Sequence, residues 1–316
     1  MQTNKAEARY LGATSLTALT PGSIAGRKLR ERTIEVVMFL CALSSVAITI
    51  GIVWVLLYES WHFFQNVSII DFLTDTQWTV LFENPRYGIM PLVAGTLVTS
   101  GTALIVALPL GTIIAIYLSE YAGATLRETL KPILELLSAV PTVVFGYFAL
   151  LFVTPLLQGI LPNLPGFNML SAGIVIGIMI VPYVSSLSED AIKAVPTHIR
   201  EGSYAMGATR LQTSLRVLVP AAFSGIASAY VLGFSRAVGE TMVVAVAAGT
   251  QPNLTLNPME GAATITAYIV QVSLGDLPHG SIAYQSIFAA GLTLMFLTLI
   301  FNIGGHFLRK RFRELY

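Results

Sequence analysis

The sequence predicts an all-α membrane protein: six transmembrane helices, with a short cytoplasmic helix–turn–helix between the fourth and the fifth. Three observations point there. Hydrophobic residues make up 54% of the 316 and charged residues only 11%, with a mean hydropathy of +0.73, which separates the chain from soluble domains. The apolar residues gather in runs of the ~20 that a helix needs to cross a bilayer core. The basic residues gather at the ends of alternate runs, as the positive-inside rule requires.

The elements follow in order. Residues 1–33 form a polar N-terminal tail, rich in Ala, Thr, Ser and Gly up to residue 26 and expected to be mobile. This tail is too long and too polar for the n-region of a cleaved signal peptide, so the first span, 34–57, is read as a retained anchor. The second span, 88–118, carries no charge. Residues 136–188 are also uncharged, and the Pro/Gly/Asn-rich LPNLPGFN at 161–168 divides them into spans at 136–160 and 169–188. The fifth span is 221–248 and the sixth 282–308, so one transmembrane domain covers 34–308, followed by a C-terminal tail at 309–316.

Charge sets the orientation. Arg27, Lys28, Arg30 and Arg32 precede the first span, and Arg309, Lys310, Arg311 and Arg313 follow the last, which places both termini in the cytoplasm. Six spans then put Arg127, Lys131, Lys193, Arg200, Arg210 and Arg216 on that same side. The opposite loops hold Glu59, Asp71, Asp75, Glu83, Glu260 and Asp276 against a lone Arg86. The net charge of +1 says nothing about partners, and no nucleic-acid partner is expected. The single cysteine, Cys41, lies in the first span and excludes an intrachain disulfide or a cysteine-based metal site. Asn66 and Asn253 head sequons, a pattern short enough to arise by chance.

The stretch 197–220 is too short and too charged to span, yet patterned. Residues 198–206 predict a helix that Gly207 ends in the left-handed conformation. Thr209 and Gln212 predict a capping box for a second helix. In that helix Leu211, Leu215 and Leu218 recur opposite Arg210 and Arg216, and Pro220 cannot continue its interior. The pattern fits a docking element or an amphipathic hairpin at the membrane surface.

Several residues break the rules of a plain span. Pro109, Pro141 and Pro182 fall in or beside apolar runs, where they bend helices and either open a path or improve packing. Gly173 and Gly177 offer a close helix contact. Arg236 and Glu240 are the ionisable residues deep in a span and, at i and i+4, are expected on one helix face. A lone charge there costs about 2.5 kcal/mol or more, so both should face protein or water. Either they serve a translocation path or gate, or they form a fixed ion pair. Pro141 and its neighbour Thr142 join them as pathway or gate candidates. The four histidines show no metal spacing, and no GxxxxGK[ST] loop occurs for ATP.

The run EGSYAMGATRLQTSLRVLVP at 201–220 resembles the "EAA" loop of ABC-importer permeases, with Gly202 and Ser203 in place of the name-giving alanines. In that family the loop is a coupling helix seated on a separate ATPase subunit, which assigns ATPase coupling to Glu201, Ala205, Gly207, Ala208, Leu211, Leu218 and Pro220. YGIMPLVAGTLVTS at 87–100, ELLSAVPTVVFGYFAL at 135–150 and GFSRAVGETMVVAVAAG at 233–249 are similar to phosphate-import permeases. The tryptophan-containing segment from Trp78 into Tyr87 and Gly88, with Gly95, Thr96 and Leu97, resembles their C-type subunit.

The resemblance implies the type I ABC importer permease fold, an inner-membrane location and a non-enzymatic role. It implies an A-type permease partner in a heterodimer, two copies of a cytoplasmic ATPase that bind ATP and Mg, and an extracytoplasmic phosphate-binding protein; this chain itself needs no cofactor. Arg236 and Glu240 match the charged pair of the family's fifth-span motif. A permease for sulfate or molybdate would carry the same loop, so phosphate rests on the resemblance alone, and a secondary transporter is the more distant alternative.

Overall fold

In hydrocarbon each backbone N–H must find its acceptor within its own segment, so apolar runs of this length become helices. The computed structural model describes residues 21–80, 82, 84–275 and 277–311; residues 1–20 of the expected tail, Leu81, Glu83, Asp276 and residues 312–316 lie outside the described residues. The chain divides into two units, Met1–Val55 and Leu56–Tyr316. In the first, the helix α1 (Pro21–Asn66) exposes every residue of 28–52, Cys41 included.

The second unit receives the end of α1 and adds α2 (Ile69–Thr74), α3 (Met90–Ile116), α4 (Ala124–Ala139), α5 (Thr142–Phe148), α6 (Thr154–Gln158), α7 (Met169–Lys193) and α8 (Thr197–Ala205). Then come α9 (Arg210–Thr213), α10 (Val219–Ala221), α11 (Phe223–Val238), α12 (Met242–Ala247), α13 (Ile265–Ser273) and α14 (Ile282–Arg311). Wider π turns at Tyr117–Tyr121, Ala149–Val153 and Ser214–Leu218 extend or join them. Helices α1, α3, α7 and α14 are each long and apolar enough to cross a membrane. Two bent pairs pass the same test together, and the number reaches six if each pair is one span: Ala124–Ala139 with Thr142–Gln158, bent by 86°, and Arg210–Ala221 with Phe223–Val238, bent by 73°. Both begin before the expected third and fifth spans, and the second takes in part of the 197–220 stretch.

Helix α7 is the centre. Its N-terminus is capped by Asn168, whose Oδ1 accepts from the Ser171 N–H at 2.7 Å. Its small residues then admit α3: a Cβ on Gly173 would stand 2.6 Å from the Thr102 Cβ, and one on Gly177 would stand 2.6 Å from the Ala103 carbonyl oxygen. Between helices in lipid such close approach supplies the dispersion energy that the hydrophobic effect cannot. Ala103, Ala107, Val175, Ile176, Met179, Ile180 and Val184 fill this core, joined by Val243, Val244 and Ala247 of α12.

An aromatic cluster closes one end. Phe63, Phe72, Trp78, Tyr87 and Tyr268 pack edge to face, Trp78 lying 4.9 Å from Tyr268 between ring centroids, a geometry favoured by the ring quadrupoles. At the opposite end Ala115, Ile192, Val195, Leu218, Ala222 and Ile226 form a smaller core beneath 197–220.

Of the three prolines expected to bend helices, only Pro141 stands at a break. Helices α3 and α7 run through Pro109 and Pro182. The fifth expected span is itself interrupted: α11 stops at Val238, and α12 starts at Met242 after Gly239, Glu240 and Thr241. Helix α13 lies outside the six runs read from hydropathy, because nine residues are too few to register as a span.

Candidate functional site

The 197–220 segment folds from its local chemistry. Helix α8 ends at Ala205 with Met206 as its C-cap, and Gly207 takes φ +83°. The Gly207 N–H donates to the Tyr204 carbonyl at 2.9 Å and the Ala208 N–H to the Ser203 carbonyl at 3.2 Å. This double bond pattern is a Schellman close, which needs the left-handed residue at the position of Gly207. Thr209 then starts α9 with a complete capping box: its N–H donates to Gln212 Oε1 at 2.9 Å, and the Gln212 N–H donates to Thr209 Oγ1 at 3.3 Å. Ser203 and Thr213 share a hydroxyl hydrogen bond of 2.9 Å that ties the two helices together.

The outer surface of this unit is bare. Met206 is 89% exposed, Leu211 56% and Leu215 51%. Glu201, Ala205, Gly207 and Pro220 are also exposed, and Ala208 is half-buried. Among the described residues Glu201 has no ion-pair partner. Leu218 is fully buried, so it does not share the face of Leu211 and Leu215 as its spacing suggested. The π turn at Ser214–Leu218 places an extra residue in the helix, and one residue turns the face by about 100°. Pro220 follows that turn and lies inside the last helical residues, which end at Ala221, one residue later than its ring suggested.

Arg236 and Glu240 separate. Helix α11 ends between them, the Arg236 guanidinium lies 6.0 Å from the Tyr183 ring centroid, and the side chain is exposed. Glu240 is buried; its carboxylate accepts from the N–H groups of Met242 (3.2 Å) and Val243 (3.4 Å), the first donors of α12. Its backbone carbonyl accepts from Thr266 Oγ1 at 2.8 Å. Among the described residues no ion pair joins Arg236 to Glu240, and the shared face expected from i, i+4 spacing is lost because the helix stops at Val238. A carboxylate at a helix start is stabilised by unpaired N–H groups and the helix dipole, which supplies what an arginine partner would have supplied.

Pro141 is exposed and Thr142 half-buried at the start of α5. Helix α5 packs on α12 where Gly146 comes close: a Cβ there would meet Val246 at 3.0 Å and the Met242 carbonyl at 3.2 Å. The two breaks, at Pro141 and at Glu240, are thus linked through the α5–α12 contact.

Sequence reasoning missed a second ionisable centre. Glu189, in the last turns of α7, is fully buried. Arg127 Nε lies 3.7 Å and Lys131 Nζ 3.6 Å from its carboxylate, and Lys193 contacts it from one turn further on. Arg200 of α8 pairs at 2.9 Å with Glu120, itself buried. The i, i+4 spacings of Arg127 with Lys131 and of Glu189 with Lys193 were visible in the sequence, but which charges meet across helices was not. Among the described residues no group of three or more His, Cys, Asp or Glu side chains is placed to hold a metal.

Four membrane-length helices, two bent helix pairs, a glycine-packed centre and an exposed helix–turn–helix define a polytopic helical membrane protein. Residues 107–314 match the family described as binding-protein-dependent transport system inner membrane component, and the chain belongs to that family. It is 34% identical over 287 residues to "Probable ABC transporter permease protein YqgH" of Bacillus subtilis, covering 90% of this chain and 93% of the relative. It is 30% identical over 302 residues to the phosphate transport system permease protein PstC of Xylella fastidiosa, covering 88% and 90%. Among solved structures, a bacterial alginate ABC transporter in complex with a pentasaccharide-bound periplasmic protein aligns with a TM-score of 0.63 at 18% identity, covering 91% of this chain and 98% of that one. The inward-facing MetNI methionine ABC transporter aligns with a TM-score of 0.53 at 21% identity, covering 72% and 94%. Both support the permease fold.

Proposed function

We propose that this chain is the C-type permease of an ATP-driven phosphate importer and forms half of its translocation pathway. The observation that carries the coupling role is the exposed helix–Gly–helix at 197–220, with Met206, Leu211 and Leu215 uncovered and Glu201, among the described residues, without an ion-pair partner. Phosphate comes from the PstC relatives. The partners are an A-type permease, two copies of a cytoplasmic ATPase that hold ATP and Mg, and an extracytoplasmic phosphate-binding protein. Both termini and the 197–220 unit face the cytoplasm.

Transport runs by alternating access. ATP closes the ATPase pair, the 197–220 unit moves with it as a rigid body, and the helices above it change from one packing to another. Arg236, free of Glu240 and exposed, offers positive charge to an anion near the midplane, while Glu240 holds the start of α12 beside it. Pro141 and Thr142 stand at the other break of this gate. ATP hydrolysis belongs to the ATPase subunit.

Labelled phosphate uptake in vesicles carrying all four proteins, with excess sulfate as competitor, tests this function. ATP-dependent uptake that ignores sulfate and collapses in Glu201→Arg is the expected result. Uptake indifferent to Glu201→Arg removes the coupling role of the loop, and uptake of sulfate in place of phosphate reassigns the substrate.

A further inference from the structure

Helix α4 is held in an unusual way. None of its sixteen residues is buried. The side turned toward the rest of the protein is Arg127, Leu130, Lys131, Leu134 and Leu137, each only half-buried. A helix anchored by packing alone would bury a leucine stripe; here Leu137 packs on the central core without being buried, and ionic contacts hold the other end of the arm. Glu189 of α7 is the anion at their centre, with Arg127 at 3.7 Å, Lys131 at 3.6 Å and Lys193 beside it, and Lys131 also reaches Asp190 at 3.5 Å.

The same place receives α8. The π turn that ends α3 presents the Leu118 carbonyl, which accepts from Arg127 Nε at 3.0 Å, and Glu120, which pairs with Arg200 of α8 at 2.9 Å. Ser119 Oγ donates to Glu120 at 3.0 Å. Four helices therefore meet through charge: α3, α4, α7 and the first helix of the 197–220 unit. Beyond this junction α4 runs to the 86° break before α5, and α5 packs on α12, the helix capped by Glu240.

We infer that Glu189 is a positioning residue for transport: its carboxylate latches the α4 arm to α7 beside the α8 seat, so that movement of 197–220 reaches the Pro141 break. This rests on 197–220 being the ATPase seat. Ion pairs suit a latch because their geometry specifies where the arm sits, and Lys193, on the same helix as Glu189, keeps that carboxylate paired when the arm moves. The separations from Arg127 and Lys131 are loose for hydrogen bonds, and Glu189 Oε2 has no hydrogen-bond partner.

The test uses the complete importer in vesicles and reads labelled phosphate taken up per ATP hydrolysed. Lys131→Gln changes a residue that is one-third exposed, and the double variant Glu189→Gln with Lys193→Gln removes one charge of each sign, so neither leaves the site with a large excess charge. Both should keep the ATPase bound and hydrolysing, with uptake per ATP reduced about tenfold, a coupling change of ordinary size. Lys131→Arg should restore it, and in Lys131→Gln hydrogen exchange should quicken across 124–139 while 169–188 stays protected. Wild-type uptake per ATP in both variants overturns the latch. So does a loss of uptake and hydrolysis in equal proportion, which marks a merely structural role. Glu201→Arg, run alongside, reports on the seat alone, because it should release the ATPase that Lys131→Gln retains.

Discussion

Gly207 offers a clean perturbation because its cost is conformational and nothing else. The residue sits at φ +83°, and no atom of the chain lies within 4 Å of where its Cβ would be. Alanine would therefore meet no clash and would bear only the left-handed penalty of about 1–2 kcal/mol. That lowers the closed-to-open ratio of the Schellman geometry by about 5- to 30-fold if nothing compensates. Asparagine, which tolerates this conformation, should lose less, and β-branched valine more. The expected order of function is Gly, Asn, Ala, Val. It is read as ATPase retained on the purified permease and as ATP-driven phosphate uptake, at equal amounts of chain in the membrane. Valine indistinguishable from glycine in both assays would refute the coupling role of the turn. Asparagine falling below alanine would instead show that side-chain bulk against a partner, not backbone strain, governs the position.

Gly177→Val should cost about 1–3 kcal/mol by overpacking α3 against α7, whereas Gly101→Ala, with no atom within 4 Å, should be near neutral; thermal unfolding of the purified chain compares them, and equal midpoints would refute the close contact. Asn168→Ala removes the cap of α7 and should destabilise by about 1 kcal/mol, seen as faster hydrogen exchange over 168–173. Arg236→Gln should depress phosphate uptake more than assembly, and wild-type flux would remove Arg236 from the pathway. Hydrogen bonds from Thr255 and Asn257 hold the Glu260 carboxyl below its usual range. A depressed carboxylate stabilises its loop above the ordinary range and loses that contribution as pH falls through the lowered value. The exchange protection across 253–260, taken relative to the intrinsic rate at each pH, should therefore fall only in acid, and protection that does not change with pH would contradict it.

Some features were legible because they are local. The Gly207 turn and the Thr209–Gln212 box depend on residues within four positions of each other, and they form as the sequence indicated. The close contact at Gly173 and Gly177 was legible for a similar reason: only small residues at that spacing let two backbones approach. Leu218 was misplaced because a π turn shifts helical phase, and periodicity assumes a constant 3.6 residues per turn.

Hydropathy and charge thus determined a helical membrane protein, because a bilayer leaves the backbone few choices and apolar length is countable along the chain. The tertiary structure decided which ionisable groups meet. It turned Glu240 from a partner of Arg236 into the cap of α12, and it drew Arg127, Lys131 and Lys193 around a buried Glu189. The physical reason is range: capping and helix phase are fixed over one turn of chain, whereas the cost of burying a charge is settled by whatever neighbours the packing of distant helices supplies.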